Sequence, residues 1–67
     1  MSLADIQYEP GDRVMLEYRR EDGSLYHQHA TVLAVFSTTL RVQPDHVPHV
    51  WRVNREKVVG WHRPGNR

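Results

Sequence analysis

From Val14 to Arg19 the chain alternates, with Val14, Leu16 and Tyr18 on one side and Met15, Glu17 and Arg19 on the other. A period of two marks a strand with one buried face, so Val14 and Leu16 are expected to point inward. Pro10-Gly11 precedes this run and Asp22-Gly23 follows it. The second pair predicts a hairpin, because glycine accepts the positive φ of a tight turn. From Leu25 to Ser37 the chain begins polar and becomes apolar on both faces between Ala30 and Phe36. That pattern predicts a long strand that bends out of one layer into the core of another, with Phe36 buried. After the polar turn Ser37-Thr38-Thr39, Leu40 and Val42 alternate with Arg41 and Gln43 as far as Pro44, which cannot donate to a sheet ladder.

A loop over 45–49 leads to a fourth strand, Val50–Val53. The polar tetrapeptide Asn54–Lys57 has the length of one 3₁₀ turn, and Val58–Trp61 makes a fifth strand. Val50, Val53, Val58 and Val59 are read as inward closure, and Arg52, Arg55 and Lys57 as outward. No segment holds the i, i+3, i+4, i+7 spacing of an amphipathic helix, so the domain is expected to be all β. Its limits are set at residues 10–61, with an N-terminal extension over 1–9 and a tail over 62–67 that has nothing to bury and is expected to be disordered.

The chain has 67 residues. A domain of this size buries only about 60% of the surface its unfolded form exposes. Such domains lean on disulfides, metals, association or close packing, and the absence of cysteine removes the first along with thiolate zinc sites. Self-association into a homo-oligomer is therefore one expected way of enlarging the core. No apolar run approaches a membrane span and no basic-then-apolar leader is visible, so the chain reads as soluble and cytoplasmic, without a membrane partner. The formal net charge is +1 but unevenly spread: residues 1–40 hold three arginines against six acids, net −3, and residues 41–67 hold six cations against two acids, net +4.

The pieces Gly11–Val14, Asp22–Leu33 and Val50–Gly60 together resemble an SH3-like barrel. Gly11-Asp12 precedes the first strand, Tyr26, Ala30 and Val32 give the aromatic-x-x-x-Ala-x-Val pattern of the second, and a polar turn precedes the fifth. Tudor, KOW and related small barrels share this plan, which implies five strands with a 3₁₀ turn before the last. The chain also resembles the plasmid-borne type B dihydrofolate reductases, small barrels that assemble as tetramers around one pore. Where that family has Val-Gln-Ile-Tyr, this chain has Val50, Trp51, Arg52 and Val53, so the glutamine and tyrosine used for its ligands are missing. Fold alone does not give function.

Arg41, Arg52, Arg55, Lys57 and Arg63 come from neighbouring strands, the polar turn and the tail, and can form a stripe that neutralises phosphates. Binding of that kind releases counterions and weakens steeply with salt. Flat rings beside cations can stack on unpaired bases, and the chain has six. Trp61 is assigned to the basic stripe, and Tyr18, Tyr26 and Trp51 to an aromatic platform, with Tyr18 and Tyr26 facing one another across the first hairpin. One of the two tryptophans is expected in the core. His27 and His29 share a strand face, and His46 and His49 share a loop, without the spacing or ligand number of a metal site. They are read as surface groups whose protonation near about pH 6 adds positive charge.

Glycine elbows, phosphate-binding glycine loops and paired carboxylates are absent, so no catalytic residue, metal or cofactor is assigned. The expected function is a non-enzymatic binding module whose first expected partner is nucleic acid. One alternative is a protein-binding adaptor or small inhibitor that uses the aromatic and histidine-rich hairpin face, and a remote one is an oligomeric reductase-like enzyme.

Overall fold

The computed structural model describes residues 3–65. Five antiparallel strands form one sheet: β1 (Arg13–Arg19), β2 (Leu25–Val35), β3 (Thr39–Pro44), β4 (Trp51–Asn54) and β5 (Val58–His62). Their order is β4-β3-β2-β1-β5. Two 3₁₀ turns, Leu3–Asp5 and Arg55–Lys57, are the helical elements among the described residues. As the sequence implied, a 3₁₀ turn precedes the last strand. The Asn54 side chain caps it by accepting a hydrogen bond from the Glu56 amide at 2.9 Å.

β4 and β5 are the two edges of the sheet and do not pair, so hydrogen bonds do not close the expected barrel. The sheet nevertheless curls. Trp51 on β4 meets Tyr18 on β1 edge to face, with ring centroids 5.9 Å apart, although β3 and β2 lie between them in sheet order. The concave side holds Tyr8, Val14, Leu16, Ala30, Val32, Leu40, Val42, Val53 and Val58, all buried. Val14 and Leu16 thus lie inward as their alternation predicts.

The hairpin forms at the predicted turn. Gly23 has φ 89° and donates to the Arg20 carbonyl at 2.9 Å, while Asp22 Oδ1 accepts from the Ser24 amide at 2.9 Å.

Three expectations about burial are corrected. Phe36 is half-buried, not core. The β2–β3 register pairs Val32 with Val42 but Ala34 with Arg41, so an irregularity at Leu33 inserts one residue into β2. An extra residue reverses the parity of the side chains beyond it. Val35 therefore faces the core with Leu40, and Phe36 turns to the outer face. Val50 and Val59 are 49% and 40% exposed, unlike Val53 and Val58. β4 begins only at Trp51, and Val59 is passed over where the β1–β5 register shifts between Met15 and Leu16. Neither tryptophan is fully buried; Trp51 packs partly against the core and Trp61 is 36% exposed.

The segments flanking residues 10–61 take part in the packing. Tyr8 belongs to the core, and its hydroxyl donates to the Leu3 carbonyl at 2.6 Å. In the tail expected to be disordered, His62 pairs with Arg13 as the end of β5, and Arg63 is bound to Asp12. Asn66 and Arg67, the remainder of that tail, lie outside the described residues, as do Met1 and Ser2.

Candidate functional site

The cations of the expected stripe occupy different settings. Arg41 on β3 and Arg52 on β4 are direct cross-strand partners, and both are exposed on the outer face. Their guanidinium carbons lie 5.9 and 4.5 Å from the centroid of the Phe36 ring, which the irregularity at Leu33 has turned toward them. Neither guanidinium has an ion-pair partner among the described residues. Ala34 stands opposite Arg41 on β2, and Thr39 pairs with Asn54 one outer position along. The result is an aromatic ring flanked by two free guanidiniums, on a sheet face with small and polar neighbours.

Arg55 has a different role. Its Nε and Nη2 donate to the Phe36 carbonyl at 3.2 and 2.6 Å, and its Nη1 donates to the Ile6 carbonyl at 3.1 Å. The fork geometry of a guanidinium suits this double capture. Arg55 thereby ties the N-terminal segment and the end of β2 to the second 3₁₀ turn.

Arg63 and Trp61 converge on the Asp12 carboxylate, which is 1% exposed. Arg63 Nε donates to Oδ1 at 2.8 Å and Trp61 Nε1 to Oδ2 at 3.0 Å, while the Glu9 amide donates to Oδ2 at 2.9 Å. The Arg63 hydrogen bond, helped by those from Trp61 and the Glu9 amide, outweighs burial and holds the Asp12 carboxyl at about 2. Trp61 also packs edge to face on Tyr8 at 6.2 Å. Arg63 and Trp61 are thus engaged in holding the fold.

Tyr18 and Tyr26 do face one another across the hairpin, stacked with centroids 5.6 Å apart. With Trp51 they form one cluster, half-buried at the end of the concave side. Tyr18 and Trp51 pack against the core, and burial, with Tyr26 alongside, pushes the Tyr18 hydroxyl above its ordinary pKa. Arg20 lies over Tyr26 at 4.7 Å and the Lys57 ammonium over Tyr18 at 5.6 Å. The expected platform already carries cations from its own chain.

His27 pairs with Glu17 at 3.1 Å, and His29 and His62 flank a concavity of about 210 Å³ floored by Met15 and Gly60. No group of three or more histidine or acidic side chains placed to hold a metal occurs among the described residues. No helix among them is long and apolar enough to cross a membrane.

No known protein family, curated protein or solved structure matches this chain. The site is therefore read from its own geometry.

Phe36 is the site residue that sequence reasoning missed, because an apolar run interrupted only at Thr31 gives no sign of where its phase slips. Asp12 was missed as well, since its partners lie 49 and 51 residues away.

Proposed function

We propose that this protein is a non-enzymatic nucleic-acid-binding module on an SH3-like barrel, docking phosphates through Arg41 and Arg52. The SH3-like reading is supported by the strand order, in which a long β2 is shared by β1 and β3, β5 returns to β1 after a 3₁₀ turn, and the sheet curls.

The observation that carries the reading is the register of Arg41 with Arg52. Like charges directly opposite on neighbouring strands destabilise a sheet. Among the described residues no carboxylate relieves them, and a bound phosphate would. Two phosphate-directed guanidiniums beside a ring also match how backbone-tracking sites combine charge with stacking.

The test is a salt series with labelled oligonucleotides followed by fluorescence anisotropy. Micromolar or tighter binding at low salt is expected, with a log–log slope between about −1.4 and −1.8, since about two phosphates are neutralised at about 0.7 each on a single strand or about 0.9 each on a duplex. Arg41→Gln with Arg52→Gln should abolish binding. No binding at about 50 mM salt would overturn the proposal.

A further inference from the structure

We infer that the nucleic acid taken up by this face is single-stranded, with one unpaired base stacked at Phe36. The inference rests on the phosphate-docking reading of the same site and adds the class of strand and the residue that selects it.

Phe36 is placed for such a role. Its backbone carbonyl accepts two hydrogen bonds from Arg55, which hold the backbone at the root of the side chain, and among the described residues only Arg52 and Arg41 place a cation over the ring of this half-buried residue. Ala34 and Thr39, on the same outer face, are too small to cover it. Among the described residues the guanidiniums at 4.5 and 5.9 Å contact the ring without hydrogen bonds of their own, so either can swing aside at the cost of that contact. A base entering over the ring takes the place of Arg52, and both arginines then meet the phosphates flanking that base. A ring and a base stack whatever the base, so recognition is tolerant of sequence.

The same face is poorly made for a duplex. Reading a major groove requires an inserted helix or two-stranded ribbon. The 3₁₀ turns among the described residues are three residues each, and at the tip of the β1–β2 ribbon Glu21 and Asp22 offset Arg19 and Arg20, so the tip offers phosphate no net positive charge. Arg41 and Arg52 supply two free cations, a small electrostatic contribution beside the six to ten phosphate contacts of a salt-sensitive duplex binder. In a paired duplex the bases are stacked on each other, and Phe36 gains nothing from them.

The experiment compares one sequence as a labelled single strand, as a blunt duplex and as a strand with central abasic positions, against the full chain and the variants Phe36→Leu and Phe36→Trp. Leucine keeps apolar bulk at a half-buried position, and unchanged thermal midpoints establish that both variants fold. The single strand should bind at least about tenfold more tightly than the duplex. Phe36→Leu should weaken it about tenfold with the salt slope unchanged, Phe36→Trp should preserve it, and the abasic strand should bind the wild-type protein as weakly as the intact strand binds Phe36→Leu. Equal affinity for strand and duplex, with no loss in Phe36→Leu, would overturn the single-strand inference and leave phosphate docking standing. Absence of binding to every oligonucleotide at low salt would overturn both.

Discussion

Arg63 sits 2.8 Å from the Asp12 carboxylate, which it reaches from the far end of the chain. The pair joins the residue before β1 to the residue after β5, and Trp61 and the Glu9 amide complete the set of donors. In a domain this small, one buried charge therefore holds both ends of the fold against the sheet.

Replacing Asp12 should be among the most damaging single changes. Asp12→Ala leaves the Trp61 indole and the Arg63 guanidinium without their acceptor, at a cost of about 2–3 kcal/mol. A domain of 60–100 residues loses roughly 4–8 °C of Tm per kcal/mol. Asp12→Asn keeps an acceptor oxygen but places an amide donor among donors, and should fall between wild type and alanine. Thermal unfolding followed by circular dichroism measures the series; a wild-type Tm for Asp12→Ala would show that the knot contributes nothing.

The same carboxylate sets an acid limit. Its pKa is lowered in the folded state from 3.8 to about 2, so the unfolded chain binds the proton more readily. The stabilisation is present above about pH 5 and is lost as pH falls toward about 2, amounting to about 2 kcal/mol when integrated. Urea unfolding at pH 3 and pH 6 should show about half of that loss, roughly 1 kcal/mol, in wild type, and an acid loss smaller by that amount in Asp12→Asn, where Asp45 and Asp22, whose pKa values are also lowered, still contribute. An equal acid loss in both proteins would assign the effect to other groups.

Elements governed by near neighbours could be read directly. The alternation of Val14 and Leu16, the Asp22-Gly23 turn and the polar Asn54–Lys57 turn each depend on a few adjacent residues, and each appears where its pattern placed it. The outward placement of Arg41 and Arg52 follows from the same alternation. What could not be read depends on phase or on distance. The run Ala30–Phe36 is apolar at every position except Thr31, so nothing local reveals the slip at Leu33 that turns Phe36 outward. Tyr8 and Arg63 looked peripheral because their partners, Trp61 and Asp12, become neighbours only once β5 has returned to β1.

Arg55 and Arg52, three residues apart, should behave in opposite ways. Arg55→Ala strips hydrogen bonds from the Phe36 and Ile6 carbonyls and should cost about 1–3 kcal/mol. Arg55→Lys should recover little of this, because an ammonium lacks the fork that spans two carbonyls. Arg52→Ala, an exposed change without a hydrogen bond to lose, should stay within about 0.5 kcal/mol of wild type. Urea midpoints for the three variants separate these roles, and equal losses for Arg55→Ala and Arg52→Ala would refute the assignment.

Arg41 offers a contrast between folding and binding at a single position. It stands opposite Arg52 in the β3–β4 ladder, and a direct like-charge pair costs stability. Threonine favours strands and carries no charge. Arg41→Thr should therefore leave the domain unchanged or raise its stability by a few tenths of a kcal/mol, up to about 1 kcal/mol at low salt. Screening should shrink that gain as salt rises, because the repulsion acts between exposed groups. Oligonucleotide binding should meanwhile weaken and its salt slope fall by about 0.7, the share of one phosphate contact on a single strand. A gain in stability together with a loss of binding is expected where a site keeps an unfavourable arrangement for its ligand. If Arg41→Thr destabilises the fold, the guanidinium is instead held by its contact with Phe36, and the case for an unrelieved charge pair awaiting an anion fails.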